Sequence, residues 1–206
     1  MTITSIEPQK KRKARVSIFV DGEFALGLSL DALASLALKK GDHVTSEQLA
    51  QWRDAAIYDE AKTAAFTILA RRIHSEKEVR DKLRKKKFPS ETIQKVILRL
   101  YEMNLLNDSQ FAGALVRDKL KRTPIGKSAL KSKLFQKGIA KETIDDILNE
   151  TDLNSEALCT KAAERKLKTL TKETDIQKRK QKLVQFLMRR GFDWETIRNA
   201  LRTLGV

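Results

Sequence analysis

Cysteine is almost absent from this chain. Cys159 stands alone among 206 residues, so no internal disulfide can staple the fold, and a reducing cytoplasm is the expected setting. Histidine is nearly as scarce. His43 and His74 have no Cys or His at ligand spacing, which leaves no zinc site and no cofactor to expect. Aromatic residues make up 6% of the chain, so no base-stacking platform of the single-strand-binding kind is visible. Trp52 and Trp194 read as packing or edge residues, and the core must come from Leu, Ile, Val and Ala. Proline occurs three times, each time as punctuation: Pro8, Pro89 and Pro124. No apolar run approaches the roughly 20 residues a membrane helix needs. The opening MTITSIEPQKKRKAR has no apolar stretch after its basic cluster, so it does not read as a secretory signal. Acidic residues are also in deficit, with 27 against 42 basic ones. The net charge of +15 and pI near 9.9 favour a nucleic acid or an acidic protein surface as partner.

What is present is a repeat. Leu83-RKKK-Phe88-PS-Glu91-Thr92-Ile93 returns as Leu134-FQK-Gly138-Ile139-AK-Glu142-Thr143-Ile144. It returns again as Leu187-MRR-Gly191-Phe192-DW-Glu195-Thr196-Ile197. Apolar positions match on both sides: Val79, Leu130 and Leu183 upstream, and Ile97, Leu148 and Leu201 downstream. A period of about 50 residues marks a stack of supersecondary modules, which builds a long surface and no deep pocket. With 41% hydrophobic residues and a mean hydropathy of −0.45, each module can bury a core and still be well solvated.

The segments follow from periodicity and punctuation. Residues 1–14 read as a flexible basic tail, in which Pro8 blocks regular structure and Lys10, Lys11, Arg12 and Lys13 repel one another. Residues 15–53 read as a hairpin and helix. Val16, Ile18 and Val20 alternate, Asp21-Gly22 supplies a type I′ turn, and Phe24, Leu26 and Leu28 alternate back. Ser29 caps a short helix over 30–38 that ends near Gly41. Thr45 and Gln48 form a capping box for a helix over 46–72 that has a candidate break near Arg53 to Tyr58. Three-helix repeats then occupy 54–107, 108–152 and 153–206. Ser75 caps the helix that ends at the basic run before Phe88-Pro89-Ser90, and helices follow over 91–103, 109–122, 127–137, 141–149, 154–168, 174–190 and 194–204. The fold class is therefore mainly α: three tandem three-helix repeats behind an N-terminal β-hairpin and helix.

Enzyme signatures fail. Ile125-Gly126-Lys127-Ser128 ends like a phosphate-binding P-loop, but Lys121 stands where its first glycine belongs, and the preceding segment is no strand. Cys159 lies on a predicted helix with no nearby His and reads as a small core residue. Glu91, Glu142 and Glu195 recur in the first turn of a helix, where a carboxylate complements the macrodipole. No carboxylate pair is placed for acting on nucleic acid.

Charge is the remaining functional signal. The third repeat carries 13 basic and 6 acidic residues, and the first carries 12 and 8. Candidate partner- or nucleic-acid-binding residues are Arg71, Arg72, Lys82, Arg84, Lys85, Lys86 and Lys87 in the first repeat. The second repeat offers Arg117, Lys127, Lys131 and Lys137. The third offers Lys178, Arg179, Lys180, Lys182, Arg189 and Arg190. Four adjacent cations at 84–87 exceed what a helix dipole worth about 0.3–1 kcal/mol per charge requires, and two readings stand side by side: contact with a phosphate backbone, or a solvated helix end that complements the dipole. Lys137 and Arg189-Arg190 hold the equivalent place in the later repeats. Lys178 to Lys182 crowd a helix N-terminus, where cations are locally unfavourable.

These residues resemble the RecX family of recombination regulators. The match rests on Arg72-x-x-Ser75-x-x-Glu78-Val79-x-x-x-Leu83, then Leu105-Leu106-Asn107-Asp108-x-x-Phe111-Ala112. It continues with Val116-Arg117, Pro124-x-Gly126, Leu130, Leu134 and Lys137-Gly138-Ile139, with the Val20-Asp21-Gly22-Glu23 hairpin upstream. One departure is Lys87, where the family commonly has glycine, and this bears on the geometry of the helix stop. The basic middle helix of the last repeat also diverges. The resemblance implies tandem repeats forming an elongated, curved body that lodges in the groove of a RecA filament on DNA. There it suppresses strand exchange, ATP hydrolysis and co-protease activity. It implies a monomeric cytoplasmic regulator with weak electrostatic contacts to single- and double-stranded DNA. The other function class is a helix-turn-helix-like transcriptional regulator. It would present Arg, Asn or Gln at a recognition-helix N-terminus, where this chain has Glu-Thr.

Overall fold

The computed structural model describes residues 1–10 and 12–206; Lys11 and the side chains of Arg12 and Lys13, part of the expected basic tail, lie outside the described residues. Two compact units emerge. Unit one comprises Met1–Arg72 with Val79–Leu105, and unit two comprises Ile73–Glu78 with Leu106–Val206.

Unit one opens with an antiparallel sheet of order β1-β2-β3: β1 Ile3–Gln9, β2 Arg12–Val20 and β3 Glu23–Ser29. The expected hairpin is β2–β3, turning through Asp21 at φ 51° and Gly22 at φ 88°. The tail assignment for 1–14 is corrected, because Ile3–Gln9 forms a strand. A register shift between Ile3 and Ser5 supplies one extra residue, so Ile3 and Ile6 both serve the core despite their odd spacing. Pro8 is tolerated because β1 is an edge strand. The strand start is pinned as well, with the Ile3 N–H donating to the Asp42 carbonyl and the Val44 N–H to that of Met1.

The sheet face of Val16, Ile18, Val20, Leu26 and Leu28 packs with Leu49 and Trp52 of α2 (Ser46–Leu69). Helix α1 (Leu30–Leu36) is capped by Ser29 as expected, but it stops at Ala37 in a left-handed conformation, ahead of Gly41. The Thr45–Gln48 capping box is present, and α2 runs unbroken through Arg53 to Tyr58. The expected boundary at 53/54 thus falls inside a continuous helix. Unit one is completed by the Val79 end of α3 (Glu76–Lys85) and by α4 (Ser90–Glu102). Pro89, without a side-chain cap bond, takes the N-cap position of α4.

Unit two holds the second repeat, α5 (Asp108–Arg122), α6 (Lys127–Gln136) and α7 (Lys141–Glu150), and the third, α8 (Ser155–Leu167), α9 (Ile176–Arg189) and α10 (Trp194–Thr203). Phe111, Val116, Leu130, Leu134, Ile144 and Leu148 share one core. Cys159, Ala163, Leu183, Leu187, Ile197 and Leu201 share another. The repeat's apolar positions are buried in all three copies, each such side chain contributing about 1.5–3 kcal/mol.

All three middle helices end in one motif. The Phe88, Ile139 and Phe192 N–H groups reach back to the Leu83, Leu134 and Leu187 carbonyls, and the residue before each has positive φ: Lys87 65°, Gly138 82°, Gly191 83°. Within unit two this turn is also a docking element. The buried Gly126 N–H, at the start of α6, donates to the Arg190 carbonyl at 2.9 Å, and the Ser128 N–H donates to Gly191 at 3.3 Å. One repeat earlier, the Ser75 hydroxyl donates to the Lys137 carbonyl at 2.8 Å, and Lys77 Nζ donates to Gln136 at 3.0 Å. A Cβ on Gly191 would lie 2.3 Å from the Ala129 nitrogen, and one on Gly138 would lie 2.7 Å from Lys77 Cβ. Glycine is thus demanded twice, by φ and by close approach. Lys87 answers only the first demand, since no earlier repeat has a middle helix to abut its turn.

Candidate nucleic-acid interface

The densest gathering of cations lies in unit one. A cavity of about 780 Å³ is lined by Arg15, Arg71, Lys82, Lys85 and Lys86, and Glu60 is its one carboxylate. Helical geometry explains three of these. Lys82, Lys85 and Lys86 fall on one side of α3 at i, i+3 and i+4, beyond the buried Val79–Leu83 stripe. Arg71 follows the C-terminus of α2, and Ala64, Ile68 and Phe88 supply an apolar floor.

Arg15 is the residue that sequence reasoning missed. Val16, Ile18 and Val20 point into the sheet core, so Arg15 falls on the opposite face of β2. Its side chain is only 14% exposed. One guanidinium nitrogen donates to the Gly27 carbonyl at 3.0 Å and lies 4.0 Å from Glu60, while Nε is buried without a hydrogen-bond partner among the described residues. The strand alternation carried this signal, but Arg15 is the first residue after the segment read as a basic tail.

The other predicted cations are dispersed. Arg84 pairs with Asp81 at 3.4 Å on its own helix, and Lys87 is exposed. Arg72 is exposed at the end of the α2 connection, and Arg117 lies exposed on α5 beside Gly113. Lys127 donates to Asn149 at 3.1 Å and Lys131 to Asp145 at 2.6 Å, which ties α6 to α7. Hydrogen bonding by Lys131 holds the Asp145 carboxyl below its ordinary range. Lys137 pairs with Glu78 at 2.5 Å, beside the carbonyl that accepts from Ser75.

In the third repeat the crowded N-terminus of α9 is compensated locally. Asp175 caps it and lies 3.7 Å from Lys178, Lys182 pairs with Glu173, and Lys180 reaches the Val206 carbonyl at 3.2 Å. The Nε of Arg179 is buried without a partner. Arg190 stacks over Phe186 at 5.0 Å and, with Arg189 and Lys133, borders a second, smaller cleft of about 500 Å³.

Cys159 is buried in the third-repeat core. Burial first, and the Asp193 charge second, push its thiol up to about 11, far from a reactive thiolate at neutral pH. Helices α4, α7 and α10 each bring a glutamate into their first turn, which suits the dipole and not guanine. Fold and site together define a class: a helical-repeat protein with an N-terminal sheet and a cation-lined cleft.

Comparison with known proteins resolves the class further. Four family models match in order: the RecX N-terminal domain over residues 1–45, then the first, second and third RecX three-helix domains over 61–100, 107–148 and 154–201. Regulatory protein RecX of Clostridium botulinum (strain Eklund 17B / Type B) is 34% identical over 204 residues, covering 97% of this chain and 94% of its own. That of Chlorobaculum tepidum is 43% identical over 138 residues, 67% of this chain and 84% of its own. A crystal structure of regulatory protein RecX superposes with a TM-score of 0.74 at 27% identity, covering 96% of this chain and 98% of that one. RecX from Lactobacillus salivarius gives 0.64 at 26%, covering 73% and 98%. The chain belongs to the RecX family of regulatory proteins. Among its described residues no helix is long and apolar enough to cross a membrane.

Proposed function

We propose that this protein binds the RecA–DNA nucleoprotein filament in its groove and modulates it, mainly by inhibiting recombinase, ATPase and co-protease activity. It does so as a monomeric cytoplasmic protein without catalysis or cofactor. The observation that carries the reading is the complete ordered set of RecX segments on a chain of net charge +15. A filament presents phosphates and acidic protein surface along a continuous path, and repeated basic modules can follow such a path. The cation-lined cleft of unit one supports the electrostatic part.

The test is the single-strand-dependent ATPase rate of the host RecA, titrated with this protein at two salt concentrations. Inhibition near or below stoichiometry, weakening with salt, is expected. No effect at excess protein refutes the reading. Replacing Lys85, Lys86 and Lys87 together by Ala should raise the half-inhibitory concentration about tenfold, since each lost phosphate contact lowers affinity and its salt dependence. Thermal stability should change little, because all three side chains are exposed. Unchanged inhibition removes this run from the interface.

A further inference from the structure

The cleft of unit one is more specific than a basic surface. From the Arg15, Arg71, Lys82, Lys85 and Lys86 cluster we infer that it is a binding site for an unpaired stretch of single-stranded nucleic acid, one or two nucleotides long. Nothing in the family assignment places a ligand there.

Three features select this ligand. The first is charge: five cations face one carboxylate around a single cavity, so the occupant carries several negative charges close together. A phosphodiester chain supplies one per nucleotide. The second is the floor. Ala64, Ile68 and Phe88 give an apolar surface between the cations, which suits a sugar or an unstacked base and has no use for a carboxylate-rich peptide. A base reaches that floor only when it is unpaired. The third is preorganisation. Arg15 is anchored by the Gly27 carbonyl and by burial, its Nε having no partner among the described residues, so its fork is held in place before any ligand arrives. The lysines add point charges to the same cavity wall.

The inference deepens the reading of a filament-binding regulator and rests on it for its biological setting, but it is measured without recombinase, so the two fail separately. Fluorescence anisotropy of a labelled fifteen-residue oligothymidylate, across a salt series, compares wild type with Arg71→Ala/Lys85→Ala/Lys86→Ala. The salt slope for single strands changes by about 0.7 per phosphate contact, so losing the contacts to two phosphates flattens it by about 1.4 and weakens binding about twenty-five-fold at 0.1 M salt. Lys95→Ala/Lys121→Ala/Lys168→Ala removes the same charge from exposed positions elsewhere and should leave affinity within a few-fold. An equal loss in that control, or no loss in the cleft variant, overturns the site. Duplex bound as tightly as single strand, with the same dependence on these residues, overturns the unpaired ligand. Displacement of the oligonucleotide by free ATP at equal phosphate concentration reassigns the cleft to a mononucleotide and overturns the strand reading.

Discussion

Gly191→Ala and Lys87→Gly probe one position of the repeat and should have opposite signs. At Gly191 the backbone has φ 83°, and an alanine there carries a left-handed cost of about 1–2 kcal/mol. Its Cβ would lie 2.3 Å from the Ala129 nitrogen and 2.5 Å from the Ala129 Cβ, so the turn must retreat from α6. Retreat breaks the bonds from Gly126 and Ser128 to Arg190 and Gly191, and an orphaned buried N–H costs about 1–3 kcal/mol. The expected destabilisation is about 2–5 kcal/mol. Lys87→Gly instead relieves the left-handed cost of about 1–2 kcal/mol and returns about 0.4–1 to the unfolded chain, for a net gain of up to about 1 kcal/mol. The two tryptophans make the assay unit-specific, because Trp52 lies in unit one and Trp194 in unit two. Urea unfolding followed by fluorescence in Trp52→Phe and Trp194→Phe backgrounds should show the Gly191→Ala loss in the Trp194 transition. It should show the Lys87→Gly gain in the Trp52 transition. Gly191→Ala within about 0.5 kcal/mol of wild type, the range of ordinary surface substitutions, would refute the docking role of the turn.

Asp193 caps α10, its carboxylate accepting the Thr196 N–H at 2.9 Å and the Thr196 hydroxyl at 2.7 Å. Asp193→Ala should cost about 1 kcal/mol and lower the Tm by about 2–4 °C. The same two bonds hold the Asp193 carboxyl below its ordinary range. Its contribution is therefore present above the unfolded pKa of about 4 and lost as pH falls through the depressed folded value. The gap between wild type and Asp193→Ala should close on acidification; a gap constant from pH 6 to 2.5 counts against the cap. For Cys159, burial and a thiol at about 11 predict that a disulfide-exchange reagent at pH 8 labels it only through unfolding. Rapid stoichiometric labelling of the native protein would place the thiol outside the core.

The helical repeats were legible because the signals agreed with one another. The apolar positions recur at one spacing in three copies, and caps and stops sit where the chain needs them, as with Ser29, the Thr45–Gln48 box, Gly138 and Gly191. What failed was local punctuation read without its partner. Pro8 and the basic run from Lys10 to Lys13 argued against a strand. Pairing with β2 makes β1 an edge strand, where Pro8 is tolerated. The candidate break in α2 near Arg53 to Tyr58 does not occur: Trp52 and Ala56 on either side of Arg53 pack on the sheet and carry the helix through.

The site was harder, because a basic residue announces its charge and not its neighbours. Lys137 and Lys131 looked equivalent to Lys86 in sequence, yet each meets a carboxylate within its own unit. Lys182 likewise meets Glu173, which answers the unfavourable helix N-terminus more directly than a ligand does. Lys82, Lys85 and Lys86 line one cavity together with Arg71 from the end of α2 and Arg15 from the sheet. Lys87 belongs to the same logic from the other side. Glycine at this turn is a requirement of stacking, not of helix termination, since all three turns adopt the same motif and only the abutted ones exclude a Cβ. Where no earlier repeat abuts the turn, the position is released from that requirement. Here it carries a fourth cation in the run that ends beside the cleft.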